Sequence, residues 1–192
     1  MLPSFVGVVL ALRAPLLSSS SAPAANLPRS INPPTLQLID EAVTIATFAP
    51  QPLWALLILA PKSKITKAIM SPTYPIILLS LVHLAVVVAA ASTENGTAPI
   101  TIFADVFDTS KSQLDGMQRL FAYRNFVAEE WPHVLIWDLF VGRAIWLDSC
   151  ERDVPFAAPS ILLTNLIGPP GFLLYCGTCL FSGVGLPAAS ER

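Results

Sequence analysis

One stretch of the chain holds most of the residues that could do chemistry. It reads EEWPHVLIWDLFVGRAIWLD from Glu129 to Asp148, and it contains one histidine, His133, a central acid, Asp138, and one permanent cation, Arg143. An acid and a base held at fixed positions are the groups that general acid–base catalysis requires. We therefore predict a site on this stretch, with His133, Asp138 and Arg143 as the candidate catalytic residues.

Asp138 is the most informative of the three because of its depth. If the stretch is a helix that crosses a bilayer, Asp138 lies beside the midpoint, where a charged side chain costs about 2.5–3.5 kcal/mol. Such a residue requires a partner, a water-filled cavity or a proton, and a neutral acid at this depth suits proton transfer. The alternative is structural: an acid that binds a neighbouring helix only to hold the bundle together.

Arg143 and His133 each have two interpretations. Arg143 follows Asp138 by five residues, which rotates it about 140° round an ideal helix. Its side chain could turn inward and bind, or extend to the membrane interface near Asp148. Glu129 lies four residues before His133 and could pair with it if the two face each other. Otherwise His133 is an ordinary interfacial histidine.

The composition indicates which elements must position these residues. Of the 192 residues, 54% are hydrophobic and 12% are charged, about half the charged fraction of a typical soluble domain. Charged residues are absent from three long intervals: between Glu41 and Lys62, between Lys67 and Glu94, and between Asp153 and Glu191. Each interval could hold the roughly 20 apolar residues that span a bilayer. We predict an integral membrane protein. The composition excludes a soluble enzyme, and the net charge of −2 offers no electrostatic footprint for nucleic acid.

The predicted fold is all-α, an integral membrane four-helix bundle, because long apolar runs without strict alternation are helices. The spans are expected near residues 41–61, 73–92, 130–148 and 156–181. The fourth contains Gly168-Pro169-Pro170-Gly171, and we predict a kink there. The four helices form a domain over residues 39–182, which includes an interfacial loop at 93–129, and residues 183–192 are a short C-terminal tail.

Residues 1–38 are predicted to be a targeting segment and are excluded from the fold. They contain Arg13, Arg29 and a run of four serines at 18–21, but no Asp or Glu. An acid-poor, Ser-bearing composition is typical of an organelle transit segment that is cleaved after import. A Pro-rich leader that is never removed is the alternative.

Each predicted span also places one polar side chain near the middle of the membrane, namely Gln51, His83, Asp138 and Asn165. Polar side chains in hydrocarbon normally face the interior of a bundle. We therefore predict a polar cluster at the midplane, with His83 as the partner of Asp138. Gln51, His83 and Asn165, with Tyr175 further along the fourth span, are the candidate substrate-binding residues.

Neither a cofactor nor a metal is predicted. Cys176 and Cys179 form a Cys-x-x-Cys motif, but they lie in an apolar segment and no second pair completes a zinc site. A redox function would require an accessible, reactive thiol, which this setting does not supply.

Three stretches of the chain carry a resemblance to a known family. They are PLWALLILAPKSKITK at 52–67, HVLIWDLFVGR at 133–143 and IGPPGFLLY at 167–175. Together they resemble the abscisic-acid-deficient-four family, plastid membrane proteins associated with making neoxanthin from violaxanthin, over about residues 42–180. The matching motif positions are His133, Asp138, Arg143 and the loop at 60–62. The resemblance implies a four-helix protein of the plastid envelope or thylakoid membrane, without a soluble cofactor.

The resemblance also implies a reaction. Conversion of a xanthophyll epoxide to an allenic alcohol involves no net redox change and requires an acid for the epoxide and a base for a polyene proton. Asp138 would be the acid, and His133 or His83 the base. The implied partners are membrane lipid, a carotenoid or other lipophilic substrate, and other carotenoid enzymes. The alternative is a non-catalytic scaffold, or a pigment- or lipid-binding protein, that presents substrate to another enzyme.

Two departures from the family pattern bear on that reaction. The family has Arg-His at the start of the fourth span, where this chain has Ala158-Pro159. It has a histidine after the Gly/Pro motif, where this chain has Tyr175. The resemblance is thus to a divergent member.

Overall fold

The structure, a computed structural model, describes residues 33–93, 96 and 98–187. Within those ranges every regular element is an α-helix, which confirms the all-α prediction. The helices are α1 (Pro33–Phe48), α2 (Gln51–Leu59), α3 (Lys64–Met70), α4 (Tyr74–Ala91), α5 (Ala98–Val106), α6 (Gln113–Phe121), α7 (Arg124–Glu151), α8 (Ala157–Ile167) and α9 (Pro169–Phe181). The predicted targeting segment lies outside the described residues as far as position 32, as do residues 188–192 of the predicted tail.

Within the described residues, two stretches are long and apolar enough, by length and composition, to cross a membrane. They are Ile39–Leu59, which covers the end of α1 and all of α2, and Tyr74–Ala91, which is α4. Only 22% and 28% of their most apolar parts are buried within the protein, so most of their apolar surface is exposed. Apolar surface exposed on this scale indicates contact with lipid or with another protein.

Helix α7 is longer than the predicted third span and runs antiparallel to α4. Asn125, near the start of α7, donates a hydrogen bond to the Ala90 carbonyl at the end of α4 (3.3 Å). Arg143, further along α7, donates to the Met70 carbonyl, just before α4 (2.7 Å). Because α7 has 28 residues and α4 has 18, α7 extends about 15 Å beyond its neighbour.

The predicted fourth span is wrong in form, because the chain reverses where a kink was expected. Helix α8 ends at Ile167, and α9 begins at Pro169. Arg152, which follows α7, donates hydrogen bonds to the carbonyls of Val184 and Gly185 beyond the end of α9 (3.4 and 3.1 Å). The end of α9 therefore lies beside the end of α7, where α8 also begins. Helices α8 and α9 form a hairpin.

The sequence of the turn explains the reversal. Pro169 and Pro170 have no N–H and fit only the first turn of a helix, so α8 must end before them. Gly168 adopts φ +66°, which favours glycine. Gly171 lets the two helices touch, since a Cβ there would lie 2.2 Å from the Thr164 hydroxyl oxygen. With 11 and 13 residues, α8 and α9 are each about 16–20 Å long, shorter than a bilayer core of about 30 Å.

The core has two parts, one toward each end of α7. Toward Arg124, Ile39 of α1, Val86 of α4 and Ala128 of α7 are buried together. Toward Glu151, a larger cluster joins α2, α7, α8 and α9, and its largest members are Trp54, Trp146 and Tyr175. Gly142 on α7 makes room for one of them, because a Cβ there would lie 2.4 Å from the Trp54 ring.

The predicted interfacial loop contains α5 and α6, which pack against each other. Asp105 on α5 forms ion pairs with Lys111 (2.7 Å) and with Arg119 of α6 (3.1 Å). The hydrogen bond from Lys111 holds the pKa of Asp105 below its ordinary value and raises the pKa of Lys111. These charges connect the two helices at the end of the molecule where α7 begins.

Candidate functional site

Asp138 lies against the turn of the α8–α9 hairpin. A Cβ on Gly168 would be 3.0 Å from Oδ1 of Asp138, so a larger residue there would displace the carboxylate slightly, and the φ angle separately favours glycine. The side chain of Asp138 is partly exposed. Among the described residues, no hydrogen bond or ion pair reaches its carboxylate.

The turn itself explains why no described residue pairs with this acid. The first turn of a helix normally presents free N–H groups, from which a carboxylate can accept hydrogen bonds. Pro169 and Pro170 have no N–H, and the N–H of Gly171 is bonded to the Gly168 carbonyl (2.9 Å). The start of α9 therefore offers Asp138 no donor from these three residues.

His83 is not the partner of Asp138, which corrects the prediction. Its Nε2 lies 3.0 Å from the Glu129 carbonyl oxygen, and its ring meets the His133 ring edge-on, with centroids 5.8 Å apart. The stagger of α4 against α7 is the reason. His83 lies opposite the turn at Glu129–His133, roughly 8 Å along α7 from Asp138.

His133 begins a row of rings on the outer face of α7. Its ring stacks near Trp137 (centroids 6.4 Å apart, planes 16° apart), and Trp137 stacks with Phe140 (5.5 Å, 19°). All three side chains are exposed, Trp137 by 60%. His133 and Asp138 are about 140° apart on the helix and so occupy different faces.

Arg143 turns inward, as one of its two interpretations required, and the interfacial interpretation is wrong. It is only 7% exposed. Its Nε donates to the Met70 carbonyl at 2.7 Å, and a terminal nitrogen donates to the Ser71 carbonyl at 2.5 Å. Met70 is the last residue of α3 and Ser71 is its C-cap, so the guanidinium caps that helix. Its ligands are backbone carbonyls.

The other predicted midplane residues do not join Asp138 in one hydrogen-bonded cluster. Gln51 is exposed and donates to the Thr47 carbonyl of the preceding helix (3.2 Å). Asn165 is partly buried on α8, one turn before Gly168, and so lies on the same hairpin that contacts Asp138. No hydrogen bond joins any two of Gln51, His83, Asp138 and Asn165, all of which the structure describes.

A polar network that the sequence analysis missed lies near the end of α7. The Tyr175 hydroxyl donates to Oδ2 of Asp148 (2.5 Å), and Tyr175 is only 1% exposed. Arg152 donates to both oxygens of Asp148, at 2.9 and 2.5 Å. The i, i+4 spacing of Asp148 and Arg152 could have predicted their ion pair from the sequence. The contact with Tyr175 of α9 could not be predicted, because it depends on the hairpin.

Beside this network, a cleft of about 390 Å³ opens between α7 and α9. Its walls are mostly apolar, and only Asp148 and Tyr175 among its lining residues are polar. The lining residues are Phe140, Val141, Ala144, Ile145, Asp148, Phe172, Tyr175 and Pro187. Small-molecule sites typically have volumes of about 300–1,000 Å³ and this pattern of apolar walls with few polar groups.

The described residues contain no group of three or more His, Cys, Asp or Glu side chains that could hold a metal ion. The candidate site comprises Asp138 at the helical turn, the two imidazoles of His83 and His133 on another face of α7, and the Asp148 network.

These features define a class: an all-helical protein with long apolar helices and a helical hairpin that turns beside an acid with no partner among the described residues. The family model described as ABA DEFICIENT 4-like matches residues 42–175, and the chain belongs to this family. It is 26% identical over 139 residues to the Protein ABA DEFICIENT 4, chloroplastic, of Arabidopsis thaliana, a match that covers 72% of this chain and 60% of that protein. The chain thus spans less than two thirds of that relative's length. No solved structure matches it.

Proposed function

We propose that this chain is a multi-pass plastid membrane protein that acts in xanthophyll metabolism, in the formation of neoxanthin from violaxanthin. The family membership and the chloroplastic relative support the compartment and the pathway. The exposed apolar surfaces of α1, α2 and α4 support the membrane. The observation on which the reaction depends is the carboxyl of Asp138, which lies at the hairpin turn and pairs with no described residue.

Charged groups at the two ends of the molecule support this placement. Asp40 pairs with Arg124 at the start of α7, and Lys62 lies 3.9 Å from Asp153, just beyond its end. The helix between these pairs is roughly 40 Å long, close to the thickness of a bilayer with its headgroups. In this arrangement α1–α2, α4 and α7 cross the membrane, and α8–α9 is a re-entrant hairpin. Asp138 is half-way along α7, at the midplane.

The face of α7 that carries Asp138 suits an apolar substrate. Between Asp138 and Glu151 this face is buried at Ile145, seven residues after Asp138. Toward Arg124, the same face is exposed at Val134, Trp131 and Val127, which precede Asp138 by four, seven and eleven residues. A long polyene could lie on this open part, with its ring against Asp138 and the turn.

The isomerisation can then use one acid in two steps. Neutral Asp138 gives its proton to the epoxide oxygen, and the C–O bond to the ring carbon that bears the polyene breaks. The resulting cation is delocalised along the polyene. The Asp138 carboxylate takes the proton from the adjacent chain carbon, which forms the allene and restores the neutral acid. Atoms and charges balance, and no redox partner is needed. The bases expected from the sequence, His133 and His83, lie on another face and are not used.

The test is to express the full chain in a violaxanthin-accumulating bacterium and to measure neoxanthin by chromatography. Asp138→Asn should abolish the product. Asp153→Asn is the matched control and should retain activity, because Asp153 is exposed and its φ of 52° suits asparagine. His133→Gln and His83→Gln should retain activity. Neoxanthin that persists in Asp138→Asn, or its absence with the unaltered chain, would refute the catalytic proposal.

A second candidate function is a non-catalytic pigment carrier. It is favoured by the bonding of Arg143 and His83 to backbone carbonyls, which occupies two of the polar groups expected at the site. In that case the unaltered chain yields no neoxanthin by itself but raises the yield when a separate enzyme is supplied. Asp138→Asn would then be as effective as the unaltered chain.

A further inference from the structure

We propose that the cleft between α7 and α9, together with the ring row beside it, binds a xanthophyll lengthwise as a second pigment site. The ligand class rests on the proposed function, whereas the position of the site rests on the geometry below. Ala144, which lines the cleft, follows Asp138 by six residues and is therefore about 120° round α7 from it. A pigment held here does not contact the acid at the hairpin turn.

The floor of the site is one face of α7. It is formed by residues that recur at intervals of three or four: His133, Trp137, Phe140, Ala144 and Asp148. The first four are exposed, so this strip is open to a ligand from the bilayer. From His133 to Asp148 the strip is about 22 Å long, which is most of a hydrocarbon core of about 30 Å. Its length suits an extended molecule that lies along the membrane normal.

The rings of the strip favour a rigid ligand over a flexible one. The planes of Trp137 and its two neighbours in the row differ by only 16° and 19°, so the three rings stack on one another and form a continuous, ordered apolar stretch of the strip. Conjugated chains are rigid, and they pack along such a stretch while losing little conformational freedom. A saturated acyl chain would have to give up rotational freedom to make the same contacts.

The cleft end of the strip favours a hydroxylated ring. Oδ2 of Asp148 accepts hydrogen bonds from Tyr175 and Arg152, but Oδ1 accepts one, from Arg152, and retains capacity for another. A ring hydroxyl in the cleft can donate to Oδ1. A carotene ring without oxygen would exclude water from this acceptor and leave it unsatisfied, which penalises binding. The site should therefore discriminate xanthophylls from hydrocarbon carotenes.

The experiment uses the full chain, purified from a pigment-free host and placed in lipid nanodiscs. Zeaxanthin is the probe, because it carries a hydroxyl on each ring and no epoxide that could react at Asp138. β-Carotene is the comparison ligand, with the same polyene and no hydroxyl. Bound pigment per chain, tryptophan quenching and induced circular dichroism in the pigment band are measured as pigment is added.

Ala144→Trp fills the cleft from its floor, and Ala85→Trp makes the same change on the exposed face of α4. We expect the unaltered chain and Ala85→Trp to bind zeaxanthin more tightly than β-carotene. Ala144→Trp should lose one zeaxanthin per chain or bind it roughly tenfold more weakly, with an unchanged helical spectrum. Zeaxanthin binding that is absent in the unaltered chain, no tighter than that of β-carotene, or unchanged in Ala144→Trp would overturn the proposal.

Neoxanthin formation separates this inference from the proposed function. Because Ala144 lies on a different face from Asp138, Ala144→Trp should keep its activity in the violaxanthin-accumulating host. If the unaltered chain makes no neoxanthin but Ala144→Trp still lowers zeaxanthin binding, the pigment site stands and the catalytic proposal fails. If neoxanthin forms and zeaxanthin binding is unchanged in Ala144→Trp, the catalytic proposal stands and the pigment site fails.

Discussion

Replacement of Gly168 by alanine distinguishes the hairpin from the kinked helix that the sequence suggested. In a continuous apolar helix, alanine at this position would be favourable, because glycine in a helix interior costs about 0.5–1 kcal/mol relative to alanine. In the hairpin, Gly168 has φ +66° and ψ −114°, a conformation that side chains rarely adopt. The two arrangements therefore predict stability changes of opposite sign.

The magnitude follows from two costs in the structure. A non-glycine residue held in such a backbone region costs about 1–3 kcal/mol. In addition, the new Cβ would lie 3.0 Å from Oδ1 of Asp138, so the carboxylate would have to move by a few tenths of an ångström. We expect Gly168→Ala to lower the free energy of unfolding by about 1–3 kcal/mol and to reduce neoxanthin formation, since the displaced group is the proposed acid.

The assay is reversible unfolding of the purified full chain in mixed detergent micelles, followed by far-ultraviolet circular dichroism. Gly177→Ala is the matched control, because Gly177 lies within α9 and a Cβ there would meet no atom within 4 Å. That variant should be more stable than the unaltered chain by about 0.5–1 kcal/mol. If Gly168→Ala proves as stable as Gly177→Ala, the reversal at Gly168 is refuted.

The hairpin could be anticipated only in part from the sequence. Gly-Pro-Pro-Gly predicts the end of a helix, because two prolines cannot continue one. It does not predict the direction of the next helix, and the residues on both sides are uniformly apolar, as in a single long span. The direction is set by tertiary contacts, namely the close approach of Gly171 to Thr164 and the bonds from Arg152 to the carbonyls beyond α9.

The contacts of the candidate residues could not be predicted from the sequence. Arg143 had an inward and an interfacial interpretation, and the inward one requires hydrogen-bond acceptors for the cation. Those acceptors belong to α3, a helix of seven residues in a Lys-rich loop that no periodicity revealed. The pairing of His83 with Asp138 assumed that neighbouring spans share one midpoint. Helix α7 instead begins at Arg124, within the predicted loop, and this stagger brings His83 to Glu129.

Three further predictions follow from contacts away from the hairpin turn. Arg143→Lys should destabilise the protein by about 1–3 kcal/mol, because the ammonium of lysine does not reproduce the planar fork that donates to both carbonyls. Detergent unfolding would measure the loss, and a silent substitution would contradict the capping. Gly142→Ala should cost about 1–3 kcal/mol through overpacking, since its Cβ would lie 2.4 Å from the Trp54 ring, and a stable variant in the same assay would show that the ring can move aside. The α5–α6 contact should weaken in acid. The pKa of Asp105 is lowered in the folded protein, chiefly by its hydrogen bond from Lys111, so the stabilisation is present above the ordinary Asp pKa and is lost as the pH falls through the lowered value. Amide hydrogen exchange in α6, corrected for its intrinsic rate, should therefore accelerate below about pH 4. Lys111→Gln should reduce that acceleration. An identical acid response in Lys111→Gln would show that the Asp105–Lys111 ion pair does not hold the two helices together.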